Sequence, residues 1–410
     1  MQQENEALKL LFQKEFSKMV AVISKRYGLQ YIELAEDIVS ETFLLALETW
    51  NKKGIPPNPT AWLYLIAKQK TFRQFKRGQL FHTKILPEMA LQQENQEVAE
   101  LDFSPQNIKS SQLQMLFAVC TPLIASEAQI GLALRILCGF SLDEIAEAFL
   151  SNKEAIAKRL YRAKEKLRLE KVKMELPPVS EINNRLDNVL HIIYLLFNEG
   201  YYSKTQNQIL RQDLCLDALR LGIILTEYEK TNQPKTNALL ALMCFHASRF
   251  NARSHTDNLF ILYDQQDKEL WDLTLIKQGI TFLDISARGN EVSSYHLEAR
   301  IACWHCMKED SDEKWISILN LYNQLLLINY SPGAALNRAF AVYKVKGQQA
   351  ALSEMEKLNL ENNHFYYILL GELYKESNRP QARLYLKKAH ALACNQTEKQ
   401  ILQTKINNLS

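Results

Sequence analysis

Twelve glycines and eleven prolines are all that this chain has to interrupt helices with over 410 residues. Average usage of the two is about 7% and 5%, so turn-formers are scarce. A chain so poor in them folds into long helices joined by short loops. With 47% hydrophobic and 23% charged residues it has the make-up of a folded soluble protein. Its length implies two or three cores rather than one.

Several function classes drop out early. No apolar run approaches the ~20 residues that cross a bilayer, and the opening MQQENEALKL is polar and mixed in charge, unlike a signal peptide. Seven scattered cysteines fit reduced thiols in a cytoplasm better than a disulfide framework. A cytoplasmic protein with no membrane contact is therefore expected. The net charge of +3 says little by itself; its distribution says more.

Residues 7–50 predict two amphipathic helices. Leu11, Phe12, Phe16, Met19, Val20 and Ile23 recur at three- and four-residue spacing until Gly28, and a second run extends from Ile32 to about Trp50. Residues 51–59 hold three prolines and predict a rigid loop. A helix from Thr60, as N-cap, to about Arg77 follows. Residues 87–105 carry Glu88, Glu94, Glu97, Glu100 and Asp102 with no Lys or Arg, the pattern of a flexible acidic linker that lets two modules sit apart. Helical periodicity returns over 110–175, and Pro177-Pro178 marks a second boundary.

The chemistry concentrates in three helices. Leu142, Ile145, Ala146 and Phe149 make the apolar stripe of a short helix; after Leu150-Ser151-Asn152, a second stripe runs through Ile156, Leu160, Ala163 and Leu167. Lys158, Arg159, Arg162 and Lys166 share a face turned away from that second stripe, with Lys153 at its start. Nine Lys/Arg against three Glu between Lys153 and Lys173 exceed what a merely solvated face needs. This is the pattern of a helix-turn-helix whose second helix reads DNA. The helix over 60–77 has Trp62, Leu63, Leu65 and Ile66 in its first half. Lys68, Lys70, Arg73, Lys76 and Arg77 surround its second half, interleaved with Phe72 and Phe75. That mixture suits phosphate neutralisation and base stacking, although core packing is the commoner role of each phenylalanine alone. The third helix is acidic: Glu33, Glu36, Asp37, Glu41 and Glu48, with no basic residue from Ile32 to Glu48. Without a His, Cys or metal-ligand partner these carboxylates read as a docking face rather than an acid/base pair.

Leu34-Ala-Glu-Asp-Ile-Val-Ser-Glu-Thr-Phe43 resembles the polymerase-binding helix of region two in extracytoplasmic-function sigma factors. Trp62-Leu-Tyr-Leu-Ile-Ala-Lys-Gln-Lys70 resembles the minus-ten-reading helix of that region. Phe140-Ser-Leu-Asp-Glu-Ile-Ala-Glu147, with Ala155-Ile-Ala-Lys-Arg-Leu-Tyr-Arg-Ala-Lys164, resembles the region-four helix-turn-helix that reads the minus-thirty-five element. The resemblance implies an all-α chain: region two over 1–80, linker over 81–109, region four over 110–175, and a helical extension over 176–410. It implies core RNA polymerase as partner, with Glu36, Asp37 and Glu41 facing the clamp helices of the largest subunit, and promoter DNA as ligand. Asn58 would meet a flipped base, and Lys68, Lys70, Lys76 and Arg77 the single strand. Two positions depart from many relatives: Gln69 stands where Asn is common, and Arg73 where Asp is common.

In the extension, Ile193-Tyr-Leu-Leu-Phe-Asn-Glu-Gly-Tyr-Tyr202 resembles a signature of a sigma subgroup with a long tetratricopeptide-like domain, and reads locally as an apolar helix ended by a left-handed Gly200. Segments 337–358 and 369–391 align Tyr343 with Tyr374 and Gly347 with Asn378, as stacked helical hairpins would. Such stacks present concave surfaces, so a regulatory protein partner is expected there. Cys303-Trp-His-Cys306 has zinc half-site spacing, but no second Cys pair accompanies it and core packing is the expected role. No phosphate-binding loop, nucleophile elbow or catalytic set appears, so neither enzyme activity nor a cofactor is expected. A helix-turn-helix regulator with a helical sensor domain, acting without polymerase, is the alternative; it leaves the acidic helix without a role.

Overall fold

The computed structural model describes residues 2–85, 101–149, 151–201, 211–253, 266–393 and 396–409. Every regular element among them is helical. The chain forms two compact units, Met1–Leu195 and Leu196–Ser410.

In the first unit, α1 (Gln2–Tyr27) buries Phe16, Met19, Val20 and Ile23, the stripe that the spacing predicts. Gly28 ends it at φ +101°, a conformation that side chains with a Cβ rarely adopt. A single 3₁₀ turn, Leu29–Tyr31, leads into α2 (Ile32–Lys53). The proline loop thus begins three residues later than expected, because Lys52 and Lys53 sit favourably in the last turn of a helix. Helix α3 (Pro59–Ile85) is capped not by Thr60 but by Asn58, whose Oδ1 accepts the Ala61 N–H at 3.0 Å. Pro59 occupies the first helical position, where a missing N–H costs nothing.

Helix α4 (Pro105–Val119) starts inside the stretch assigned to the linker. Ser104 caps it, Asp102 accepts from the Ser104 N–H and hydroxyl, and Leu101 and Ile108 are buried. Residues 86–100, with Glu88, Glu94, Glu97 and Glu100, lie outside the described residues. Helix α4 packs along α1, where Lys25 Nζ donates to Asn107 Oδ1 and Ser110 Oγ, each at 3.0 Å. Next come α5 (Ser126–Leu132), a π-helical turn (Ala133–Leu137), α6 (Leu142–Ala148) and α7 (Lys153–Leu169). Helix α8 (Ile182–Tyr201) carries the unit boundary within it rather than at Pro177-Pro178. Its first half is tied down: Arg185 donates to Phe117 O at 2.6 Å, and Asn188 to Cys120 O at 2.7 Å.

The second unit continues with α9 (Gln212–Thr226), α10 (Pro234–Ala247), the single turn α11 (Phe250–Arg253), α12 (Leu273–Ser286) and α13 (Ser294–His305). Helix α10 is buried continuously from Thr236 to Phe245, as a central helix must be, and α9, α12 and α13 pack on it. Then follow α14 (Asp312–Ile328), α15 (Pro332–Lys346), α16 (Gln348–Glu356), α17 (His364–Tyr374), α18 (Arg379–Leu392) and α19 (Gln396–Asn407), each packed on its neighbour in the chain. Gly347 and Asn378 occupy equivalent turns, and each returns its N–H to the tyrosine four residues back, Tyr343 and Tyr374.

Gly200 does not end α8 in the left-handed region; it lies inside the helix. A Cβ there would meet Arg211 O at 2.7 Å and Leu214 Cβ at 2.9 Å, so the glycine permits α9 to approach α8. Gly200→Ala should therefore cost about 2 kcal/mol, the usual scale of overpacking, read as a lower midpoint in urea unfolding; an unchanged midpoint would refute the close approach. Cys303 and Cys306 lie at the end of α13. Burial pushes the Cys303 thiol up to about 11 and raises that of Cys306, which donates to Phe245 O at 3.6 Å. Among the described residues no group of three or more His, Cys, Asp or Glu could hold a metal ion.

Candidate functional site

The candidate faces lie in the first unit. Helix α2 separates its acids by rotation. Asp37, Glu41 and Glu48 are exposed on one side, at spacings of four and seven. Leu44, between them on the same face, is 59% exposed. A large apolar side chain flanked by carboxylates on the exposed side of a helix is the make-up of a protein-docking face. Only the spacing from Glu41 to Leu44 hinted at it in the sequence, where a leucine reads as core by default.

Glu36 does not share that face. One residue along a helix is a rotation of about 100°, and this turns Glu36 inward, where it is 5% exposed. Its Oε1 accepts from Arg135 Nε at 2.9 Å and its Oε2 from Lys164 Nζ at 2.5 Å. Arg135 stands on the π-helical turn and also donates to Phe140 O at 3.0 Å. Neither cation was singled out as a site residue from the sequence, because a pairing 99 or 128 residues away leaves no local pattern.

Helix α3 carries a second exposed stripe. Leu65, Gln69, Phe72 and Lys76 succeed one another at helical spacing, with Leu65 52% and Phe72 44% exposed. Lys76 Nζ lies 5.5 Å from the centre of the Phe72 ring. Phe75 faces the other way: it stacks on Tyr27 at 3.6 Å with 9° between the rings, and meets Tyr31 edge-on. The two phenylalanines, alike in the sequence, are thus separated into a free ring and a packed one. Lys70 pairs with Glu41 at 2.8 Å across α2 and α3, a surface pair readily exchanged for another partner. Lys68 is half-buried and Arg73 exposed; the side chain of Arg77 lies outside the described residues. Asn58 is exposed, with its carbonyl oxygen engaged in the α3 cap.

Helices α6 and α7 form the expected pair. Ser141 and Glu144 close a capping box on α6, and Asn152 caps α7 by accepting the Ala155 N–H at 2.7 Å. Ile156, Leu160, Ala163 and Leu167 are all buried. Beside that stripe Lys158, Arg159, Arg162 and Lys166 are exposed and line a groove of about 480 Å³ with Ile124, Ala125 and Ala128. Lys153 pairs with Asp143 of α6 at 2.8 Å, again at the surface. Four cations on one wall of a groove, with no carboxylate lining it, favour a polyanion.

Residues 12–80, from α1 to α3, match the family model of sigma-70 region 2. The chain belongs to the sigma-70 family. Over 385 residues it is 32% identical to the uncharacterized protein R00370 of Rhizobium meliloti (strain 1021), an alignment spanning 92% of this chain and 90% of the relative. This sigma-70 family member also matches a family of unknown function (DUF6596) over residues 185–287. That stretch includes Gly200 and the buried Tyr201, whose hydroxyl accepts from Arg249 at 3.2 Å and whose ring lies under Arg253 at 3.9 Å. No solved structure matches. No helix among the described residues is long and apolar enough to cross a membrane.

Proposed function

We propose that this sigma-70 family member is an alternative sigma factor of the extracytoplasmic-function type, acting in the cytoplasm on core RNA polymerase and promoter DNA. The α2 face of Asp37, Glu41, Leu44 and Glu48 docks on the clamp helices of the largest polymerase subunit. The α3 stripe engages the opened minus-ten strand, with Lys68, Lys70, Arg73, Lys76 and Arg77 on its phosphates and Asn58 beside a flipped base. Helix α7 reads the minus-thirty-five duplex through Lys158, Arg159, Arg162 and Lys166, with Lys153 on the flanking backbone. The helices beyond Pro178 form a tetratricopeptide-like regulatory domain for a protein partner, and the chain carries no enzyme activity and needs no cofactor.

The observation that carries this reading is the division of one small unit into an acidic, leucine-centred face and two basic ones. A duplex-binding repressor needs only the last of them. Core polymerase supplemented with the full chain should begin transcripts at promoters that core enzyme alone ignores; transcription no different from core alone would end the proposal. A second result separates the phenylalanines. Phe72→Ala should leave unfolding unchanged and weaken single-strand DNA binding about tenfold, since a stacked base is worth roughly 1–3 kcal/mol. Phe75→Ala should instead lower stability by about 2–3 kcal/mol in a urea titration, because it removes a packed ring.

A further inference from the structure

Helix α18, near the end of the second unit, carries charge of one sign only. No Asp or Glu occurs from Ser377 to Thr397, whereas Arg379, Arg383, Lys387 and Lys388 all fall on this helix. Ala382, Leu386 and Ala389 bury its other side, and the cations are exposed. On the neighbouring helices cations are matched: Lys375 and Lys405 meet Glu372, and Lys357 and Arg338 meet Glu354. Among the described residues no carboxylate pairs with any cation of α18. Leu384 lies beside Arg383 on the same side and is 48% exposed. We propose that this face of α18 is the docking surface for an acidic protein segment, a helix with carboxylates four residues apart and an apolar side chain beside them.

The inference rests on the reading of the extension as a domain for a protein partner, and it assigns that partner's chemistry. Arg379, Arg383 and Lys387 succeed one another at four-residue steps, each about 6 Å along the axis. Like charges at that spacing destabilise a helix, so the stripe is unfavourable until opposite charge arrives. A face that had only to be wetted could mix both signs, as the neighbouring helices do. Carboxylates on a partner helix repeat at the same step, so the charges meet in register. Lys388 Nζ stands 5.4 Å and 5.7 Å from the ring centres of Tyr367 and Tyr385. The rings restrain it, which reduces the entropy lost when it pairs. Leu384 decides between classes of partner. A phosphate backbone gains nothing from a leucine, whereas protein interfaces bury an apolar centre within a polar rim.

The test titrates full-length protein against a labelled, alanine-based helical peptide with glutamates four residues apart and one leucine beside them. Binding is read by fluorescence anisotropy at about 0.1 M salt, where surface charges are still felt over about 10 Å. Arg383→Glu/Lys387→Glu should weaken binding by about tenfold or more, since like charges then face each other. Its thermal midpoint should not fall, because neither side chain has an ion pair to lose. Replacing the peptide's leucine by alanine should weaken binding about threefold or more, as apolar burial is lost. Equal binding by folded variant and wild type would overturn the proposal, and so would a wild type that ignores the peptide. A loss seen on a duplex DNA probe but not on the peptide would also overturn it, and would make α18 a contact to the DNA backbone. The regulatory reading fails separately: a peptide that binds through α18 yet leaves transcript yield from core polymerase unchanged would end that reading and keep the surface.

Discussion

Reversing the two central carboxylates of α2, Asp37→Lys with Glu41→Lys, should reduce affinity for core polymerase by about 100- to 1000-fold. The expectation follows from the placement of both groups on an exposed face beside Leu44. Like charges brought together across an interface cost several kcal/mol, and each 1.4 kcal/mol is about a factor of ten. The fold should not pay for it. Glu41 loses only its surface pair with Lys70, worth about 1 kcal/mol or less, and Asp37 has no buried contact to lose. A binding titration beside a thermal melt checks both halves. Retained affinity in a folded variant would mean that polymerase is engaged elsewhere, or not at all.

Arg159→Glu with Arg162→Glu should abolish most duplex binding, by about 100-fold near 0.1 M salt. Both guanidinium groups are exposed and line the groove beside the buried stripe of α7, rather than belonging to that stripe. A more discriminating measurement is the salt dependence. For each phosphate contact removed, the slope of log affinity against log salt should fall by about 0.9. The double alanine variant should thus lose close to two units of slope, read by fluorescence anisotropy on a short duplex. A weakened affinity with an unchanged slope would indicate that these residues act through the fold rather than on phosphates.

The two phenylalanines of α3 show how far local pattern reaches. Phe72 and Phe75 lie three apart amid the same cations, and nothing in the sequence ranks one over the other. What separates them is Tyr27, on another helix, which stacks on Phe75 and leaves Phe72 free. Glu36 and Asp37 are a second case. Both belong to a run of acids without a base, and both were expected on the docking face. Their difference is one step of helical rotation, and which step faces inward depends on where Arg135 and Lys164 arrive from. Gly200 is a third: a glycine near a helix end reads as a terminator, whereas α9 needs it as a gap.

Properties that repeat along one helix were therefore legible from the residues alone. These are the all-helical class, the stripes of α1 and α7, the division of charge among α2, α3 and α7, and the paired turns at Gly347 and Asn378. Spacing of 3.6 residues is set within a few neighbouring residues, so the chain states it directly. The tertiary structure alone decided which acid is buried, which ring is free, which leucine is left in water, and that Glu36 of α2 grips Lys164 of the reading helix. The acid and the ring depend on partners tens to more than a hundred residues away, and such partners meet only once the chain has folded.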